Sequence, residues 1–223
     1  MLLTRLQGLI SGIYDVNVAH DVYDFLVTDR GHLPAAVREP ETETDEELIV
    51  AQPAAGEHDG EVGMSLYLDP ALLKRLALAD PMVRLHDGNV ADYWTALEGV
   101  SHFLYLAWNA GHDRPVSLLE LEMQAEVDKY VASYWLMREQ WPDRFPAELL
   151  SLLFERTRID SRLARGRERM YCAASRYAEK FCRRLEQSLR DARGESSGAI
   201  LAELRRFYRL TNSHKVAHIE RSK

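Results

Sequence analysis

Glu98 and His102 stand four residues apart in one apolar stretch, and Glu122 and Glu126 stand four apart in the next. Side chains at that spacing share a helix face. If the two faces meet, three carboxylates and an imidazole converge, a donor set suited to a hard or borderline divalent cation. The set does not reproduce the Glu-x-x-His pairs of di-metal carboxylate bundles. Here the spacing is Glu-x-x-x-His, and no second Glu–His pair exists. The plainer expectation is therefore preferred. Each polar strip marks where its helix meets solvent, or Glu98 and His102 form a buried hydrogen-bonded pair. No cofactor and no catalytic residue is expected, and Glu98, His102, Glu122 and Glu126 stand as the lesser, metal-binding alternative.

A second constellation is cationic. Arg165, Arg169, Arg176, Lys180, Arg183 and Arg190 fall within roughly 80° of arc on one helix at about 100° per residue. The opposite side carries Met170, Tyr171, Ala174, Tyr177, Ala178, Phe181, Leu185 and Leu189. Arg205, Arg206 and Arg209, interleaved with Phe207 and Tyr208, extend the row into the tail. Such a ridge would suit an acidic protein surface or a second copy of the chain. Against nucleic-acid phosphates it would release counterions and bind in a salt-sensitive way. Glu179 and Glu186, each four residues before an arginine, are the ordinary explanation: a solvated face with local ion pairs. The aromatics of the tail are expected to dock it on the core. His214 and His218 share a face but lack a third ligand nearby.

The elements that must position these residues follow from periodicity. Asp92–Asn109 and Val116–Gln140 read as two long helices, apolar on most sides and so buried. Gly111 is a C-cap signal, and Pro115-Val-Ser117 a helix start. The short connection favours antiparallel packing. Upstream, residues 2–13 read as an amphipathic helix. Val22–Thr28, Leu48–Ala51 and Val62–Leu68 read as strands, with an acidic solvated loop at Glu39–Glu47 and a hairpin loop at Gln52–Glu61. Asp69-Pro70 caps and opens a helix, and Pro81–His86 reads as a short helical piece. Downstream, helices are expected at Pro146–Arg156, about Ser161–Ala192, Ala199–Leu210, and from Asn212 or Ser213 to His218, with a linker at Gly194–Gly198. The expected fold is mainly α (α+β): a helical bundle around the central antiparallel helix pair, with a small N-terminal antiparallel β-sheet. Residues 1–91 form the α+β region and 92–223 the helical region.

The 223 residues carry a formal charge of −7, split unevenly. Residues 1–154 hold 10 Lys+Arg against 26 Asp+Glu, and residues 155–223 hold 18 against 9. The bland account packs the acidic part on the basic part; the sharper one keeps a basic surface for a polyanion or an acidic partner. No apolar run reaches the roughly 20 residues of a membrane span, and the N-terminus lacks the pattern of a signal peptide. Cys172 and Cys182 lie about 15 Å apart along one helix, too far for a disulfide, which favours a reducing cytoplasm. Gly-rich phosphate loops, a G-x-S-x-G elbow and zinc-finger spacings are all absent from the sequence. That weighs against an enzyme. The reading that follows is a cytoplasmic binding protein, a subunit or accessory factor whose basic helix meets an acidic partner. A nucleic-acid-binding module and a metal-dependent enzyme are the alternatives.

Overall fold

The computed structural model describes residues 1–33, 45–51, 63–154, 165–191 and 197–221. Eight α-helices and three strands are formed among the described residues. They are α1 (Leu2–Tyr14), β1 (Leu26–Val27), β2 (Glu46–Ala51), β3 (Gly63–Leu68), α2 (Pro70–Leu78), α3 (Val90–Ala110), α4 (Leu118–Gln140), α5 (Leu149–Phe154), α6 (Arg165–Asp191), α7 (Ser197–Tyr208) and α8 (Asn212–Arg221). The protein is mostly helical, with a small sheet.

α3 and α4 form the centre. Ser117 caps α4 through Oγ, which accepts from the Glu120 amide at 3.2 Å. Trp94 bonds Ser133, Ser101 bonds Asp128, and Tyr105 bonds Glu120. As one number climbs the other falls, so the two helices run antiparallel. One apolar cluster runs from Leu3 and Leu6 of α1 through Phe103 and Val127 to Phe207 and Ile219. α6 lays Ala174, Ala178, Phe181, Leu185 and Leu189 into it, the apolar side that its periodicity marks.

The sheet has the order β1-β3-β2. β2 pairs with β3 antiparallel, from Glu46 opposite Leu68 to Ala51 opposite Gly63. β1 pairs with β3 in parallel, which corrects the expectation of an antiparallel sheet throughout. The reason is local. Only Leu26–Val27 of the stretch Val22–Thr28 is strand; Val22–Phe25 winds into a 3₁₀ turn whose Asp21 side chain accepts from the Tyr23 amide. The chain therefore reaches β3 as a two-residue edge from a turn rather than as the arm of a hairpin. Partners across a ladder share a face of the sheet. Glu46 thus lies on the same face as Leu66 and Leu68, which are fully buried.

Pro81–His86 is not a helical piece: residues 81–83 form a turn and 84–86 are irregular. Asp80 accepts from the Met82 amide, while Asn89 accepts from the His86 amide and donates to the Ala79 and Arg84 carbonyls. Side chains that satisfy the backbone locally compete with helix. Asp69 caps α2 as expected, accepting from the Ala71 and Leu72 amides. The hairpin loop at 52–61, residues 39–44 of the acidic loop, and residues 194–196 of the linker lie outside the described residues. So do 155–156 and 161–164, the end and the start of two expected helices. Ser197 and Gly198 already belong to α7.

Candidate metal centre

The strips of α3 and α4 face each other. His102 is 4 % exposed and Glu122 6 %, so these two do not meet solvent as a water-facing strip would, while Glu98 and Glu126 stay partly exposed. Both helices are covered on that side, by the sheet and by each other. Glu98, His102 and Glu122 each bring a ligand atom into a set lying mutually within 4.8 Å. Glu126 does not join this set; its Oε1 sits 2.9 Å from the Lys129 ammonium, which also holds Glu98 Oε2 at 2.6 Å.

The imidazole stands between two carboxylates. Nδ1 is 3.5 Å from Glu46 Oε1, and Nε2 is 3.6 Å from Glu122 Oε2. The second distance is beyond hydrogen-bond reach, and the buried His102 Nε2 has no hydrogen-bond partner among the described residues. Glu46 Oε1 is likewise without one. Two ligands of a tetrahedral ion with bonds of about 2.1 Å lie about 3.4 Å apart, so the Nε2–Glu122 separation suits shared coordination better than direct bonding.

Charge does not balance here. Glu46, Glu98, Glu122 and Glu126 bring four carboxylates against one ammonium and one imidazole. Among the described residues, two negative charges remain in excess when all four carboxylates are ionised, even with His102 protonated. A buried charge is costly unless paired. Burial pulls the imidazole down, but Glu122 and Glu46 outweigh it and hold His102 well above its ordinary range. Burial lifts Glu46, and His102 only partly offsets that. Burial also opposes ionisation of Glu98, yet Lys129 and His102 carry it below the usual carboxylate range. Lys129 would be lowered by burial, but Glu126 and Glu98 raise it.

Glu46 is the residue that the sequence did not point to, and Lys129, though on the polar strip of α4 with Glu122 and Glu126, was not expected to bridge Glu98 and Glu126. Glu46 sits at the end of an acidic run that reads as a solvated loop, yet it opens β2 and faces the bundle. The alternation of Glu46 with Leu48, matching that of Leu66 with Leu68, was the available signal. Gly99 lets the strand approach: a Cβ there would come 2.8 Å from Leu66 Cδ1 and 3.0 Å from Glu46 Cγ.

The basic ridge divides in two. Lys180 pairs with Glu220 at 3.0 Å, Arg183 with Glu179 at 2.6 Å, and Arg190 with Glu186 at 3.3 Å. Arg190 also lies 4.6 Å over the Phe145 ring. Arg169 and Arg176 are exposed, as is Arg206 in α7; the side chain of Arg165 lies outside the described residues. Arg205 and Arg209 are taken up by carbonyls of the chain's own backbone. Arg205 donates to the Ile13 carbonyl, and Arg209 to those of Tyr14 and Asp15. His214 bonds Thr211, and His218 bonds Glu203. No helix among the described residues is long and apolar enough to cross a membrane.

Compared with known proteins, the chain matches no family model, no curated protein and no solved structure.

Proposed function

We propose that this protein binds a divalent cation between α3 and α4, through Glu98, His102 and Glu122, and works as a metal-dependent protein. The observation that carries the reading is the buried His102 Nε2, without a hydrogen bond among the described residues and set among carboxylates that outnumber the cations described there. One nitrogen and two carboxylate oxygens suit borderline ions such as Zn²⁺, Fe²⁺, Co²⁺ or Mn²⁺. Three protein ligands leave a position for water or substrate, as catalytic zinc sites do. The Glu98 and Glu126 side chains keep 25 % and 23 % of their surface in solvent, which gives the cluster a wet side where such a ligand would enter. An ion there would lower the pKa of a bound water and offset the surplus negative charge.

Titration calorimetry of chelator-treated protein with Zn²⁺ tests this. One equivalent of saturable binding is expected, with a clear loss in the isosteric Glu122→Gln. Absence of stoichiometric binding for Zn²⁺, Co²⁺ and Mn²⁺ alike would overturn the reading, as would a Glu122→Gln variant that binds like the parent.

A second reading keeps α6 as a docking surface for an acidic partner, with nucleic acid as its alternative. The exposure of Arg169 and Arg176 on one helix supports it, since surface ion pairs farther along hold little energy and can exchange partners. A double reversal, Arg169→Glu with Arg176→Glu, should abolish capture of an acidic partner. A steep loss of duplex or single-strand affinity between two salt concentrations would mark phosphate binding instead.

A further inference from the structure

Resting on the cation reading above, we infer that Glu46 is the positioning carboxylate of the centre: it holds the His102 Nδ1 proton, so that Nε2 is left to the metal. Metal-bound histidines nearly always pass their second ring N–H to a carboxylate, carbonyl or water, which fixes the tautomer and makes the ring a better donor. The parts of that arrangement stand on the two sides of one ring. Glu46 Oε1 faces Nδ1 at 3.5 Å, and Glu122 Oε2 faces Nε2 at 3.6 Å. Glu46 is outside the converging set of Glu98, His102 and Glu122, so it touches the histidine and not the ion.

The sheet exists at this point to deliver that carboxylate. Glu46 opens β2 and pairs with Leu68, on the inward face that also carries Leu66. Gly99 leaves out a Cβ that would come 3.0 Å from Glu46 Cγ and 2.8 Å from Leu66 Cδ1. Glu46 is nearly enclosed, with 12 % of its side chain exposed, and its Oε1 has no hydrogen-bond partner among the described residues. Closing the Nδ1 contact by a few tenths of an ångström supplies that partner. Glu46 thereby links the docking of β2 to the setting of the His102 ring.

Co²⁺ is the probe, because its visible bands report both occupancy and ligand geometry. In Glu46→Ala, Co²⁺ affinity should fall by about 10–100-fold, with altered bands. Glu46→Gln, which keeps the shape and an acceptor oxygen, should lie between the two and serves if the alanine variant does not fold. Nitrogen-15 NMR of the Zn²⁺-loaded parent should find the His102 proton on Nδ1. Unchanged Co²⁺ affinity and bands in Glu46→Ala, or a proton found on Nε2, overturns the inference while leaving the cation site intact. A parent protein that takes up no Co²⁺ overturns the site itself, and this inference with it.

Discussion

Lys129 is the residue at which stability and cation binding pull in opposite directions. Its ammonium holds both Glu98 and Glu126, and only 11 % of the side chain meets solvent. Removing one member of a buried ion pair leaves an uncompensated charge, at a cost of about 3–5 kcal/mol. The partial exposure of the two glutamates places Lys129→Met at the low end of that range. The same substitution takes a positive charge away from the proposed ion. Lys129→Met is therefore expected to melt earlier than the parent without metal and to bind Zn²⁺ more tightly. Differential scanning and a Zn²⁺ titration on one preparation check both signs; weaker binding in the variant would contradict the cation site. Gly99→Ala acts from the other side of the cluster. An added Cβ at 2.8 Å from Leu66 Cδ1 forces the sheet outward, and overpacking of this kind costs about 1–3 kcal/mol. Thermal unfolding should show that loss, and an unchanged melting temperature would mean that the strand yields without strain.

At the scale of elements, the C-terminal helices are tied to the first one by arginines rather than by a ridge open to solvent. α1 ends at Asp15, whose backbone is left-handed with φ of 53°, leaving carbonyls of its last turn in need of donors. Arg209 supplies them for Tyr14 and Asp15, and its guanidinium lies 5.8 Å from the Trp108 ring centre. Arg209→Ala should cost about 1.5 kcal/mol, the scale of a charge-assisted hydrogen bond. The exposed neighbour Arg206→Ala should stay within about 0.5 kcal/mol. Urea unfolding of the pair decides; equal effects would deny Arg209 its capping role. Both arginines look alike in sequence, since which one reaches the end of α1 depends on where α7 lies against α1. The same limit explains the rest of what the residues revealed. The helices were legible because 3.6-residue periodicity, Asp69-Pro70 and the Gly111 and Ser117 signals all act within one turn. The i, i+4 pairs of α3 and α4 were legible as pairs. Their convergence was not, because periodicity gives a face without its partner. Glu46 escaped because its burial is set by a strand pairing with Leu68, more than twenty residues away. The parallel β1 escaped because a two-residue edge has no periodicity to read.

Over the whole molecule, the uneven charge of the sequence is partly an interior property. Glu120, Glu122 and Asp128 are buried in α4, and the basic end of the chain sends one fully buried cation toward them. Lys215 of α8 donates to Gln124 Oε1, and Gln124 in turn donates to Asp128 Oδ1 at 2.7 Å. Its Nζ lies 4.5 Å and 4.8 Å from the ring centres of Tyr105 and Phe207. Burial pulls Lys215 down to about 7 from its ordinary 10.5, although Glu120 and Asp128 oppose the change, and Arg114 adds to it. Burial likewise raises Asp128 to about 6, against the donors Ser101, Tyr14 and Gln124. Between about 7 and 10.5 the unfolded chain carries a lysine proton that the folded chain has given up. Stability linked to Lys215 is thus at its lowest below pH 7 and rises with pH across that window, by about 1.4 kcal/mol per unit. Lys215→Met carries no such proton. It should be more stable than the parent at pH 7, with the advantage shrinking toward pH 9. That range stays above the titration of Asp128 and below the roughly pH 10 at which tyrosines of the unfolded chain ionise. Urea unfolding of both proteins at pH 7, 8 and 9 measures the difference. Parallel stabilities across the three would mean that Lys215 keeps its proton in the folded protein, held there by Glu120, Asp128 and the surrounding rings.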